Sequence, residues 1–192
     1  MACTLSAAGA AGAAGAPGAP GAPDAPPVMQ PTASPRQVVN SPTKGPEAPH
    51  HPGPASVELP ATMVQALVDH ARAEYPNEMC GVIVGDRPAA AGGMPLRWGP
   101  TRNRAASPLR YEIHPDDLLR LTIGTEEAGE EFWAIVHSHT HSAPRPSLTD
   151  LGLAFYPDAI YMLVSLADDE PALAAWRIVD GEIHPVELIV GH

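Results

Sequence analysis

The chain has 192 residues, enough for one folded domain of ordinary size, and its formal net charge is −11. A chain this acidic is a poor phosphate binder, which argues against nucleic acid as a partner. No apolar run reaches the length of a membrane-spanning helix, so we expect no membrane association either.

The first 55 residues differ from the rest in composition. Half of the 24 prolines precede Ser56, mixed with alanine, glycine and serine. This segment has few large apolar side chains, so packing it would not offset the conformational entropy that ordering costs. We predict that residues 1–55 form a disordered tail and residues 56–192 one folded domain. Because the few charges of the tail cancel, the negative excess belongs to the domain.

The first predicted elements of the domain are a helix and a short strand. Pro60 suits the first turn of a helix that runs to about Tyr75, with apolar residues at helical spacing. Pro76-Asn77 ends this helix. Residues 80–84 are then predicted as a short apolar strand that closes at Gly85.

A loop, two strands and a second helix are expected next. Residues 87–95 are predicted as the loop, and the strands are expected at residues 96–101 and 110–113. The sequence His114-Pro-Asp-Asp is typical of a helix start, and this helix continues through Leu121.

The second half of the domain begins with a buried strand. Residues 132–136 are apolar on both faces, which is typical of a central strand. A short helix is expected near residues 147–155, and further strands at residues 160–165, 172–179 and 182–190. Asp180-Gly181 predicts the turn of a hairpin between the last two. Helices and strands mix without regular βαβ alternation, so we predict an α+β sandwich.

The central strand leads directly into two histidines, His137 and His139. Residues two apart on a strand face the same side, so both imidazoles can meet one metal ion. A buried strand that delivers two such histidines is unusual, since histidines rarely fill core positions unpaired. Taken alone, however, the pair is better explained as two hydrogen-bonded histidines at the edge of a loop.

A second pattern, Ser147-Leu-Thr-Asp150, follows after seven intervening residues. Alone it is typical of a capping box at a helix N-terminus. Such a cap would place Ser147 and Asp150 near one spot, with the carboxylate able to reach a metal and the hydroxyl directed at its open position. Two neutral histidine nitrogens and one carboxylate oxygen are a standard catalytic zinc set, which leaves a fourth position for water.

The whole stretch from His137 to Asp150 resembles the signature of the JAMM (MPN-plus, Mov34/JAB) zinc metallopeptidase family, which is His-x-His, seven residues, then Ser-x-x-Asp. The resemblance implies the JAMM/MPN fold, a cytidine-deaminase-like sandwich with a central mixed β-sheet flanked by helices. It implies one Zn²⁺ per chain, bound by His137, His139 and Asp150. It also implies that Ser147 hydrogen-bonds the oxyanion of the tetrahedral intermediate.

A hydrolase of this design also needs a general base. The family takes a glutamate from between the first helix and the following strand, and Glu78 occupies that place here. The resemblance therefore implies Glu78 as general base and then as general acid toward the leaving amine. In isolation Glu78 would be an ordinary charged turn residue. We interpret His141 as an exposed loop residue and Cys80 as a small buried one.

The match extends beyond the motif. The residues around Glu78, the strand at residues 160–165 and the closing Trp176-Arg-Ile-Val-Asp-Gly181 resemble the bacterial Mec subgroup. Members of that subgroup release cysteine from the C-terminus of a ubiquitin-like sulfur-carrier protein. This implies a peptidase that cuts the amide after a C-terminal Gly-Gly, with a role in cysteine biosynthesis. Two isolated cysteines, Cys3 and Cys80, form no disulfide framework, which fits a reducing cytoplasm.

Two alternatives to this function stay open at the level of sequence. An isopeptidase that removes a ubiquitin-like modifier from lysines would use the same metal ligands. A non-catalytic MPN scaffold would only bind partners, although the filling of all five site positions argues against it. The sequence does not specify the oligomeric state, and a homodimer is compatible with it.

Overall fold

The computed structural model of the protein describes residues 53–191. The predicted disordered tail, residues 1–55, lies outside this range except at its last residues. The strands are β1 (Ser56–Pro60), β2 (Cys80–Gly85), β3 (Pro95–Thr101), β4 (Glu131–His139), β5 (Ile160–Ser165), β6 (Ala172–Val179) and β7 (Glu182–Gly191). The helices are α1 (Ala61–Glu74), α2 (Pro115–Ala128) and α3 (Leu148–Gly152), with a short 3-10 turn at Ala89–Ala91. None of the helices in the described range is long and apolar enough to cross a membrane.

The seven strands form one mixed sheet in the order β1-β7-β6-β5-β4-β2-β3. β4 runs parallel to β5 and β1 runs parallel to β7, whereas the other neighbours are antiparallel. β4 lies between β2 and β5, so its apolar sequence correctly predicts a central strand. The mixed sheet, flanked by helices and without a regular βαβ repeat, confirms the predicted α+β class.

The two faces of the sheet carry two separate apolar clusters. On one face, Leu67 of α1 belongs to the same cluster as Val136 of β4. On the other face, Ile135 lies in a cluster against which Leu121 of α2 and Leu151 of α3 pack. Neighbouring residues of β4 thus point into opposite clusters, which explains why this strand is apolar throughout.

The predicted strand at residues 110–113 is wrong. Ile113 forms only an isolated bridge with Asn103. The Asn103 side chain takes the backbone partners that a sheet would need: its Oδ1 accepts from the amide of Glu112, and its Nδ2 donates to the carbonyl of Arg110. An asparagine that bonds to the backbone in this way competes with strand pairing, so the segment is held as a loop.

Several other elements differ from the prediction in length. The sequence does not predict β1, which pairs with β7 immediately before α1. α2 continues well beyond Leu121, and α3 ends at Gly152, before the predicted end near residue 155. β4 continues past Val136 to His139 because its last residues pair with β5. This extension places both histidines on regular strand backbone.

The hairpin between β6 and β7 is confirmed. Asp180 and Gly181 both have positive φ, 52° and 79°. Two successive residues of this kind are the requirement of the tight turn that Asp-Gly favours.

Candidate metal centre

The end of β4 places two imidazoles on one face of the sheet. His137 pairs with Cys80 of β2 and Leu163 of β5, so it lies in the middle of the sheet and is fully buried. His139, two residues later, points to the same side, and its Nε2 lies 3.2 Å from the Nε2 of His137. The predicted convergence of the two side chains is therefore present.

The start of α3 supplies the carboxylate. The side chain of Ser147 accepts a hydrogen bond from the amide of Asp150, and Oδ2 of Asp150 accepts one from the amide of Ser147 at 2.6 Å. This is the capping box that the sequence predicts. The same Asp150 turns its carboxylate to the histidines, with Oδ1 3.3 Å from His137 Nε2 and Oδ2 3.5 Å from His139 Nε2. Asp150 therefore takes part in the helix cap and is also a candidate metal ligand.

The three groups fit a single ion. Their closest contacts are 3.2, 3.3 and 3.5 Å. The two contacts of Asp150 use different oxygens, Oδ1 toward His137 and Oδ2 toward His139. One donor atom from each residue lies within 4.8 Å of the other two, which is close enough for the three to share one tetrahedral zinc ion. Within residues 53–191, His137, His139 and Asp150 form the group of histidine, cysteine and acidic side chains able to hold a metal. Nitrogen and oxygen donors of this kind suit zinc.

The ring orientation of His139 is fixed from behind. Its Nδ1 lies 3.0 Å from the carbonyl oxygen of Ala143 and 3.0 Å from Oγ of Ser142. A carbonyl can only accept, so Nδ1 carries the proton and Nε2 is left with a lone pair for a metal.

His137 is held by packing instead. Its ring stacks on Tyr111 with centroids 4.3 Å apart, and its buried Nδ1 has no hydrogen-bond partner among the described residues. The two histidines of the centre are therefore supported by different means.

The charges of the metal-free site influence one another. Burial lowers the pKa of His137, and its contacts with Asp150 offset this only in part. Burial also acts to lower the pKa of His139, but hydrogen bonds to Asp150 and the Ala143 carbonyl outweigh it, so this pKa is raised. For Asp150, burial acts to raise the pKa, and the two histidines overcome it and hold the pKa well below its usual range. Asp150 is thus ionised and ready to bind a cation.

Glu78 lies beside this group, in the connection between α1 and β2. The residue is only 4% exposed, and its main chain is held by the carbonyl of Ser107 and the side chain of Asn103. Burial raises the pKa of its carboxyl to about 7, with His139 lowering it and Asp150 raising it further. A carboxyl with a pKa near neutrality can both accept and return a proton.

A pair of hydrogen bonds joins the Glu78 segment to the histidine strand. The amide of Met79 donates to Oγ of Ser138 at 2.8 Å, and the amide of Ser138 donates to the carbonyl of Met79 at 3.0 Å. Ser138, between the two histidines, therefore fixes the residue that follows Glu78. Neither Ser138 nor Tyr111 is predicted as a site residue from the sequence, because neither has a local signal for a contact made between distant segments.

The remaining candidates lie outside the cluster. His141 is exposed, with Nδ1 2.6 Å from Oγ1 of Thr140 and its ring near Tyr75. Cys80 is fully buried, and burial raises the pKa of its thiol to about 11. A thiol of this kind stays protonated near neutral pH, which fits the interpretation as a packing residue and not a nucleophile.

Comparisons with known proteins give a consistent result. A family model of prokaryotic homologs of the JAB domain matches residues 60–179. The CysO-cysteine peptidase of Mycobacterium tuberculosis is 39% identical over 132 residues, covering 67% of this chain and 88% of that protein. The desampylase of Haloferax volcanii is 32% identical over 114 residues, covering 57% and 80%. A solution structure of a Desulfitobacterium hafniense protein has a TM-score of 0.62 at 28% identity, covering 70% of this chain and 92% of that one.

The family match covers more than half of the chain and contains every residue of the site, from Glu78 to Asp150. It agrees with the fold and with the grouping of two histidines and an aspartate at the end of the central strand. The chain belongs to the family of prokaryotic homologs of the JAB domain, the JAMM or MPN-plus group, and it is a peptidase.

Proposed function

We propose that this protein is a zinc peptidase that hydrolyses the amide after the C-terminal Gly-Gly of a ubiquitin-like sulfur-carrier protein and releases cysteine. The observation that carries the zinc chemistry is the close grouping of His137, His139 and Asp150 beside a carboxyl whose pKa is raised to about 7. The substrate is supported by the 39% identity to a CysO-cysteine peptidase, 88% of which is covered.

The proposed metal ligands are the two Nε2 atoms and one oxygen of Asp150. The proton on Nδ1 of His139 directs Nε2 to the ion, and Asp150 is already ionised. Any proton on Nε2 of His139 leaves when the ion binds. A bound zinc ion supplies Lewis acidity that polarises the scissile carbonyl and acidifies water.

Glu78 is the proposed proton carrier. Its carboxylate accepts a proton from the attacking water and then donates it to the nitrogen of the leaving amine. Near-complete burial keeps bulk water from competing for this proton. The pair of hydrogen bonds between Met79 and Ser138 joins the backbone next to Glu78 to β4, which keeps the Glu78 carboxyl near the histidines.

Ser147 is the proposed oxyanion donor. Its oxygen accepts the hydrogen bond of the helix cap, which leaves the hydroxyl proton free to donate. That proton would bind the substrate oxygen as negative charge develops on it, and removal of one such donor typically costs about 3 kcal/mol in the barrier.

The decisive experiment is a product assay with a carrier protein that ends in Gly-Gly-Cys. We expect free cysteine, a carrier ending in Gly-Gly, and about one zinc per active chain. A zinc-free preparation with full activity would refute the mechanism. Cysteine release that persists unchanged in Glu78→Gln would refute the role of Glu78, and Glu74→Gln serves as a matched control because Glu74 is a half-exposed glutamate on neighbouring α1.

A second candidate is the isopeptidase, which releases a ubiquitin-like modifier from lysine side chains. The same ligands and Glu78 would serve it. This candidate is supported by the similarity of the chain to a protein named desampylase. The second product separates the two functions: cysteine in one case and an unmodified lysine in the other. A non-catalytic scaffold is disfavoured, since the metal group and Glu78 are all present.

Cysteine biosynthesis and the cytoplasm follow from the first proposal. A peptidase that liberates cysteine from a carrier would complete the synthesis of that amino acid. The free, buried thiol of Cys80 is compatible with a reducing compartment.

A further inference from the structure

The loop between β4 and α3, residues 140–147, is fastened to the sheet on the side away from Glu78. Oγ of Ser165, at the end of β5, donates to the carbonyl of Ser142 at 2.7 Å. The indole Nε1 of Trp176, on β6, donates to the carbonyl of Pro144 at 2.9 Å. This segment joins the two halves of the metal-binding motif. The two contacts hold it against the sheet.

Arg145 is held at a defined place on this loop. Its amide donates to the carbonyl of Ala143 at 2.7 Å, the same oxygen that faces Nδ1 of His139. Its guanidinium lies over the Trp176 ring, 5.6 Å from the centroid, in a cation–π contact. The Ala143 carbonyl therefore links the backbone of Arg145 to the candidate ligand His139. The Trp176 ring holds the Arg145 guanidinium at one position.

The guanidinium of Arg145 has no carboxylate partner within the described part of the chain, although the domain is strongly acidic. Most described arginines form ion pairs, namely Arg87, Arg97, Arg102, Arg104 and Arg120. Arg145 is exposed and keeps its planar set of donors available. A fixed guanidinium with free donors is suited to bind a carboxylate through two parallel hydrogen bonds.

The proposed substrate brings such a carboxylate to this place. If the leaving group is a single terminal residue, its α-carboxylate is only about one residue, roughly 3.8 Å, beyond the amide that is cut. It must therefore lie at the rim of the metal site, next to the group that binds the scissile carbonyl. Arg145 is two positions before Ser147, the proposed oxyanion donor.

We propose that Arg145 binds the free α-carboxylate of the released residue and so determines specificity. This rests on the proposed function and refines it: the substrate is a polypeptide carrying one terminal amino acid. The amide formed with a lysine side chain inside a protein has no carboxylate at that distance. Arg145 then selects terminal adducts over side-chain conjugates, although both present the same scissile carbonyl.

The test compares two substrates, a carrier ending in Gly-Gly-Cys as the free acid and the same carrier ending in the cysteine carboxamide. We expect the wild type to prefer the free acid by about 10- to 100-fold in kcat/KM, the range of a charge-assisted pair. In Arg145→Gln this preference should fall to nearly 1, mainly through KM, and Arg145→Lys should retain part of it. Zinc content and melting temperature verify that each variant is folded.

Arg110→Gln is the matched control. Arg110 is also exposed, and it precedes Tyr111, the residue that stacks on His137, so this variant tests the loss of another exposed positive charge. This variant should keep the wild-type preference. Equal turnover of acid and carboxamide by the wild type, or an unchanged preference in Arg145→Gln, would overturn the inference while leaving the peptidase intact. Loss of preference in Arg110→Gln would overturn it too, and cleavage of neither substrate would refute the proposed function together with it.

Discussion

Two buried aspartates in this domain have pKa values far below the usual range, yet only one belongs to the candidate metal centre. Asp117, on α2, accepts hydrogen bonds from the backbone amide and the guanidinium of Arg102 and from Arg120. Those bonds lower its pKa in spite of burial. Asp150 owes its lowered pKa to His137 and His139, which likewise overcome burial.

The difference between the two clusters lies in what the partners can release. An arginine does not lose its proton in a protein, so the oxygens of Asp117 stay occupied and the cluster is structural. A histidine can give up its proton and offer a lone pair, so a carboxylate beside histidines is able to form one corner of a metal site. Between these two aspartates, a lowered pKa alone does not indicate function, whereas partners that can exchange a proton for another ligand do.

The largest expected effect separates the two aspartates directly. Asp150→Asn should abolish stoichiometric zinc and lower kcat/KM by about 1000-fold or more, because both a ligand and its negative charge are lost. Asp117→Asn should keep zinc and activity but lower the free energy of unfolding by about 1–3 kcal/mol, because Arg102 loses its partner. Metal analysis, steady-state kinetics and denaturant titration check the pair. Zinc loss in Asp117→Asn would break the comparison.

The second prediction concerns Glu78, whose pKa is raised and not lowered. Glu78→Gln should retain zinc and lower kcat by about 10²- to 10⁴-fold, since the proton acceptor is lost while the ligands stay. Its side chain is isosteric, so the fold should be preserved. Kinetics with parallel zinc analysis measure this, and Glu74→Gln should match the wild type in both. A Glu78→Gln variant without zinc would instead place Glu78 among the ligands.

A third prediction uses pH and the metal-free protein. The pKa of Glu78 is raised from 4.5 to about 7, so its contribution to stability is present below pH 4.5 and is lost as pH rises through 7. Asp117 has a lowered pKa, so its contribution is present above its ordinary value and is lost only on acidification. The two carboxylates should therefore give opposite slopes.

Chelator-treated protein provides the measurement. Relative to wild type, Glu78→Gln should gain stability between pH 5 and pH 8, by about 1 kcal/mol once solvent screening is allowed for. Asp117→Asn should show no such gain over that interval, since its titration occurs at lower pH. Thermal melts at a series of pH values report both. A constant difference between wild type and Glu78→Gln would mean that the Glu78 carboxyl has an ordinary pKa.

The smallest expected effect lies behind His139. Ser142→Ala removes one of the two groups that face Nδ1, while the Ala143 carbonyl stays. We expect zinc affinity to fall by less than about 10-fold, with kcat at saturating zinc nearly unchanged. Competition with a chelator of known affinity measures this. A loss as large as that of Asp150→Asn would show that the hydroxyl, and not the carbonyl, sets the ring orientation.

Much of the fold was predictable because local signals coincide with tertiary demands. Residues within the segment itself determine the structure in three cases: the apolar run of β4, the Asp-Gly turn and the Ser147–Asp150 cap. The prediction at residues 110–113 failed because the competing partner, Asn103, is several residues away and acts through its side chain. β1 was missed because a short edge strand that ends in proline carries little signal by itself.

The candidate site divides in the same way. Its metal group was expected from the resemblance of the stretch from His137 to Asp150 to a known motif, and these three side chains do come together. The residues that hold this group in place were not predictable. Ser138 contacts Met79 and Tyr111 contacts His137, and no periodic pattern in the sequence indicates contacts between segments so far apart. Arg145 also gives no sign in sequence of the Trp176 platform, which comes from β6.

The shared role of Asp150 has a kinetic consequence. One oxygen, Oδ2, holds the first turn of α3 through the amide of Ser147, while Oδ1 faces His137. The helix cap therefore keeps the carboxylate oriented before any ion arrives. A preorganised site loses little conformational entropy on loading, so metal uptake should be limited by dehydration of the incoming ion and should require no refolding of α3.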